Sequence, residues 1–88
     1  MMIIYHSKEP EYAATLQDIT KPITDRISSL FCLRTIATVE SVQALIKAFD
    51  LEDRSDLIRH EICYCLGQMN KSPEHDKIIL EFFERILQ

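Results

Sequence analysis

Residues 24–36 read TDRISSLFCLRTI, and residues 57–69 read LIRHEICYCLGQM. Laying Cys32-Leu33 on Cys65-Leu66 brings Arg26 onto Arg59 and Phe31 onto Tyr64, an offset of 33 residues. A period near this length, with a pair of helices in each unit, is the signature of a helical solenoid. In such an array no unit buries its apolar face alone, and stacking on the next unit completes the core.

Working outward, apolar residues recur at Ile23, Ile27, Leu30, Phe31, Leu33 and Ile36, a helical rhythm that predicts a helix over about 22–37. Pro22 suits its first position, with Thr20 or Lys21 before it. Tyr12, Ala13 and Leu16 predict a shorter leading helix over about 9–18. Val42, Leu45, Ile46 and Phe49 predict a third over about 40–50, after which residues 50–55 read as a polar connection. The fourth is expected over about 55–69, capped by Ser55 or Asp56. The fifth is opened by Ser72 or Pro73 and runs to the end. The expectation is an all-α single domain over residues 1–88, about five helices in antiparallel hairpins. It comprises a leading helix, a first repeat over about 22–50 and a second over about 55–88.

Composition agrees and excludes alternatives. One glycine in 88 residues argues against a β fold rich in tight turns. A net charge of −4 argues against nucleic acid as the main partner, since phosphate binding needs a surplus of Lys and Arg. No apolar run approaches a membrane span, and Met1–Tyr5 lacks the basic flank of a secretion signal. Three cysteines (Cys32, Cys63, Cys65), an odd number, point to a reducing, cytoplasmic setting and read as small buried side chains.

The last helix carries more apolar surface than an end needs. From Ile78 to Leu87 its apolar side chains sweep an arc of about 200° at 3.6 residues per turn, where a stripe of about 100° suffices to pack one face. The chain is therefore expected either to self-associate through this helix or to continue in the natural protein.

On the fourth helix, Ile58, Ile62, Cys65, Leu66 and Met69 form the expected core stripe, and His60, Glu61, Tyr64, Gly67 and Gln68 fall elsewhere. Gly67 inside a helix costs about 1 kcal/mol relative to alanine; close approach of another helix or of a ligand is one reason to keep it. Imidazole with carboxylate suits iron, zinc or manganese. Two side chains about 100° apart on a helix reach one ion only from the side, and most sites need about four to six ligands. Taken without further information, a His-Glu pair on a polar face reads as a solvated face. His75-Asp76 reads as a polar cluster at a helix N-terminus, and His6 near the chain start carries no assignment.

The run from Leu57 to Met69 resembles the first metal-binding repeat of the deoxyhypusine hydroxylases, in which a basic residue precedes His-Glu and a Tyr-Cys-Leu-Gly-Gln-Met stretch follows. Arg26 to Arg34 and Ala48-Phe49-Asp50 resemble the family's metal-free first repeat, with Ile27-Ser28 where His-Glu would stand. The similarity covers roughly residues 16–88. It implies a HEAT-like helical-repeat fold, an alpha-alpha superhelix. It also implies an iron-dependent monooxygenase whose di-iron centre, held by four His-Glu motifs, activates dioxygen and hydroxylates deoxyhypusine on translation initiation factor 5A. By position, His60 and Glu61 match the first motif and are the candidate iron ligands. One motif of four is present, so this chain is expected to be inactive by itself.

Three functions compete: an N-terminal part or shortened relative of the hydroxylase, a non-enzymatic helical-repeat scaffold for protein partners, and a homodimer pooling two His60/Glu61 pairs. Other enzyme classes lack their motifs: there is no glycine-rich phosphate loop, no Gly-x-Ser-x-Gly elbow and no His-Glu-x-x-His helix.

Overall fold

Three hydroxyls set the phase of the chain. Thr38, Ser55 and Ser72 each accept a backbone N–H from three residues on and start a helix, satisfying donors that a helix N-terminus leaves unpaired. The computed structural model describes residues 7–52 and 54–88, and within them the chain forms five helices and no strand. These are α1 (Glu9–Gln17), α2 (Ile23–Ile36), α3 (Val39–Leu51), α4 (Asp56–Gly67) and α5 (Pro73–Ile86). His6 and the apolar start over Met1–Tyr5 lie outside the described residues.

α1 packs on α2 and α3, α2 on α3 and α4, and α3 on α4 and α5. Helices alternate between two layers, α1, α3 and α5 in one and α2 and α4 in the other. The extents of 32 × 31 × 15 Å describe a slab two helices deep, as expected for interaxial spacings of about 8–10 Å. The core runs through it without a break: Leu16, Leu30, Leu33, Val42, Leu45, Ala48, Ile58, Ile62, Cys65, Leu66, Met69, Ile79 and Phe82. The predicted stripe of α4 is buried in full.

One local expectation is corrected, and two features go beyond the sequence pattern. Pro22 is not the first helical residue: it precedes α2 with ψ 143°, and no side chain caps that helix. α2 does not bury a purely apolar stripe, because Arg26 and Ser29 are buried beside Leu30 and Leu33 while Ile23 is 43% exposed. The polar connection after α3 is not simply solvent-facing, since Glu52 is 1% exposed.

Arg26 and Glu52 explain one another. Their guanidinium and carboxylate atoms meet at 2.7 Å with both side chains buried. Arg26 also donates through Nε to the Leu16 carbonyl (3.0 Å). The second Glu52 oxygen accepts the Arg54 and Ser55 N–H groups at 2.8 and 2.7 Å. One ion pair thus ties α1, α2 and the α3–α4 connection together, every charge matched. Arg59, the repeat counterpart of Arg26, makes the corresponding contact, donating through Nε to the Glu52 carbonyl (2.9 Å). In both repeats the arginine grips a carbonyl at the end of an earlier helix in the other layer.

α5 is pinned across the layers by His75. Its Nε2 lies 2.8 Å from the Ala37 carbonyl and its Nδ1 2.7 Å from Ser72 Oγ. A carbonyl only accepts, so Nε2 carries the proton and Nδ1 accepts from the Ser72 hydroxyl. Ala37 ends α2 in the left-handed region (φ 54°, ψ 35°), a conformation that disfavours any side chain.

Candidate functional site

The side chains of α4 are aimed by Arg59. Its grip on the Glu52 carbonyl, with its guanidinium 5.0 Å from the Phe49 ring centre, fixes the rotation of the helix. Ile58, Ile62, Cys65, Leu66 and Met69 then turn inward, and His60, Tyr64, Gly67 and Gln68 are left exposed.

His60 and Glu61 converge although they are adjacent in sequence. His60 Nδ1 lies 3.2 Å from Glu61 Oε1, with the histidine side chain 76% and the glutamate side chain 24% exposed. A carboxylate only accepts when ionised, so Nδ1 carries the proton and Nε2 offers a free lone pair. The pair therefore presents two outward donors, imidazole Nε2 and carboxylate Oε2. That is the chemistry of a transition-metal half-site, with the histidine tautomer set by its carboxylate neighbour. Among the described residues no group of three or more His, Cys, Asp or Glu is placed to hold a metal ion. The donor set fits a metal in kind and falls short in number.

Other candidates resolve differently. His75 is 7% exposed and holds α5 to α2, a structural bridge rather than a surface ligand. Of the cysteines, Cys65 is buried while Cys32 and Cys63 are half-buried, and all are free thiols. Burial pushes the Cys63 thiol up. Burial also raises Cys65 to about 11, the nearby Arg34 charge opposing and the Glu61 charge adding. Neither is a thiolate near neutral pH, so neither is an activated nucleophile. Close approach of a helix, one reason offered for Gly67, is not found within the chain: a Cβ there would meet nothing within 4 Å.

Two features escaped sequence reading. A pocket of about 370 Å³ lies where α2 and α4 end, lined by Arg34, Thr35, Gln68 and Lys71. A mostly apolar groove of about 300 Å³ opens between α4 and α5, lined by Leu66, Gly67, Asn70, Asp76, Ile79, Leu80 and Phe83.

The alternating layers and the recurring arginine contact define an all-helical chain of the helical-repeat kind. Comparison with known proteins gives the relative. The chain is 49% identical over 55 residues to deoxyhypusine hydroxylase of Dictyostelium discoideum, covering 62% of this chain and 17% of that enzyme. It is 38% identical over 76 residues to the enzyme of Saccharomyces cerevisiae, covering 86% and 22%, and 37% identical over 73 residues to that of Drosophila pseudoobscura, covering 83% and 22%. The chain is a relative of part of deoxyhypusine hydroxylase, spanning about a fifth of that enzyme's length. No family model matches it. No solved structure matches it either.

Proposed function

We propose that this chain is the part of a deoxyhypusine hydroxylase-type iron monooxygenase that supplies one His-Glu ligand pair, His60 and Glu61. It would act in the cytoplasm on translation initiation factor 5A, as one domain with repeats over about 22–50 and 55–88. The observation that carries this reading is the convergence of His60 and Glu61 at 3.2 Å on an exposed face, in a chain whose relatives are deoxyhypusine hydroxylases. Bound iron would supply dioxygen activation. The residues here have humbler tasks: His60 offers Nε2, Glu61 offers a carboxylate oxygen and fixes the imidazole, and Arg59 holds the helix that presents both. The remaining ligands would come from outside these 88 residues.

Titration with Mn²⁺ under NMR detection tests the pair. Expected is paramagnetic broadening centred on His60 and Glu61, abolished in His60→Ala and in Glu61→Ala, with no hydroxylase activity from the isolated chain. Broadening that ignores both substitutions overturns the assignment and favours the non-enzymatic scaffold.

A further inference from the structure

The pocket formed by Arg34, Thr35, Gln68 and Lys71 differs from the sites of Arg26 and Arg85. Arg26 and Arg85 each hold a carboxylate. Arg34 holds only a neutral amide oxygen, Gln68 Oε1, at 3.2 Å, and lies 4.9 Å from the Phe31 ring centre. Two contacts thus fix the guanidinium while most of its five N–H donors stay available. Neither Arg34 nor Lys71 has a carboxylate within ion-pair distance among the described residues, in a chain with four more acids than bases. Thr35 lines the same space, its hydroxyl donating to the Phe31 carbonyl.

The ends of α2 and α4 also meet here, and their carbonyls offset part of this charge. Each helix C-terminus is equivalent to about −0.5 of an elementary charge, so two ends against two cations leave a surplus of about one. That is the charge of a single carboxylate, not of a polyanion.

We propose that this pocket binds the side-chain carboxylate of a protein partner. The polypeptide nature of the occupant follows from what lies beside it. Gln68 shares a stripe of α4 with Glu61, with the exposed Tyr64 between them. Seven residues along the helix separate the acidic end from the basic end by about 10 Å. A stripe negative at one end, positive at the other and aromatic between them matches a polyproline II segment carrying a cation and an anion three residues apart, on one face at about 3.1 Å per residue. The carboxylate pocket contains no residue of the metal reading; Glu61, at the acidic end of the stripe, belongs to both, so the peptides are added without metal.

The test follows the Arg34 Nε–H and Gln68 side-chain amide NMR signals at low salt. The probes are the acetylated, amidated peptide Lys-Gly-Gly-Glu, its Gln-terminated counterpart and inorganic phosphate. Expected is a saturable shift with the Glu peptide, about tenfold weaker binding for the Gln peptide, as one lost charge-assisted contact implies, and weaker binding for phosphate. Lys71→Gln, at an exposed position, should weaken the Glu peptide similarly while leaving the rest of the amide spectrum in place. Equal binding of the Glu and Gln peptides, tighter binding of phosphate, or no effect of Lys71→Gln overturns the proposal.

Discussion

Glu52 is the residue on which the chain depends most visibly. Its carboxylate sits in the core against Arg26, and its own main-chain carbonyl receives Arg59. Burial by itself would raise its pKa. Hydrogen bonds from the Arg54 N–H, the Arg26 guanidinium and the Ser55 N–H outweigh that and hold it below the 4.5 of an ordinary glutamate. A carboxylate whose folded pKa is depressed adds stability above its unfolded pKa and loses it as pH falls through the folded value. The folded state should therefore weaken below about pH 4.5, more steeply in wild type than in a variant lacking the pair. Glu52→Gln leaves Arg26 buried without a counter-charge and should cost about 3–5 kcal/mol. Against a total of about 4–13 kcal/mol for a chain of this length, that is enough to leave much of it unfolded. Arg26→Met with Glu52→Leu should recover most of the loss, since apolar replacement of a whole buried pair is often neutral. Urea unfolding at neutral and acid pH checks both statements; a Glu52→Gln protein as stable as wild type would show that the pair contributes nothing. Sequence reading found Arg26 and its counterpart Arg59 as repeat markers but not their purpose. Glu52 sits in the polar run 50–55, and nothing in the local pattern reveals that its charge is matched by a residue 26 positions earlier.

At the scale of the elements, what was legible and what was not divides along one line. Helix periodicity and capping hydroxyls are local, so all five helices can be read, and each start of α4 and α5 narrows to two residues, Ser55 or Asp56 and Ser72 or Pro73, of which the serines are the caps. Contacts between helices are not local. Thr38, which caps α3 and also donates to Glu9 of α1 at 3.0 Å, went unnoticed. His75 read as part of a polar cluster because nothing nearby names its partner, the Ala37 carbonyl 38 residues earlier. That contact joins α5 to the end of α2 and braces a left-handed alanine. His75→Ala should expose the cost of removing it: about 1–3 kcal/mol for a half-buried carbonyl left without its donor. The loss corresponds to a drop of roughly 4–8 °C in melting temperature per kcal/mol. Hydrogen exchange adds a sharper readout. Amides of α5 should lose protection more than those of α2 and α3, because α5 loses its tether while the Arg26–Glu52 hub is untouched. Uniform loss across all helices would instead mean that the bridge is part of one global unit. The candidate site divides in the same way: spacing places His60 and Glu61 off the core stripe, the family resemblance names them as candidate ligands, and the pocket at Arg34 and Lys71 needs two helices in register.

The molecule as a whole is a slab whose α5 edge is unfinished. Superposing the caps Thr38 and Ser72 lays Ile46 and Phe49 of α3 on Leu80 and Phe83 of α5. In α3 those positions are half-buried: Phe82 meets the Phe49 ring edge-on at 5.0 Å and Arg59 lies against it. In α5, Leu80 is 59% and Leu87 82% exposed, and the groove between α4 and α5 opens beside them. The two helices thus present similar faces, covered by the next hairpin in α3 and only partly covered in α5, where Phe83 packs on the core and Leu80 does not. Each fully exposed leucine that becomes buried contributes about 1.5–3 kcal/mol, so a few such contacts make a second copy a suitable cover for the 88-residue chain. Sedimentation over a wide concentration range should show association that strengthens with protein concentration. Leu80→Lys combined with Leu87→Lys should hold the chain monomeric without lowering its melting temperature at low concentration, because neither side chain is in the core. Salt separates this contact from a charge-driven one: apolar association persists or tightens in high sulfate, while one made through the Asp50–Arg85 pair (3.0 Å) on the same edge weakens as charges are screened. Wild-type chain that remains monomeric at millimolar concentration would mean that α5 is adequately covered by its own layer, and that its broad apolar arc reflects packing against α3 and α4 only.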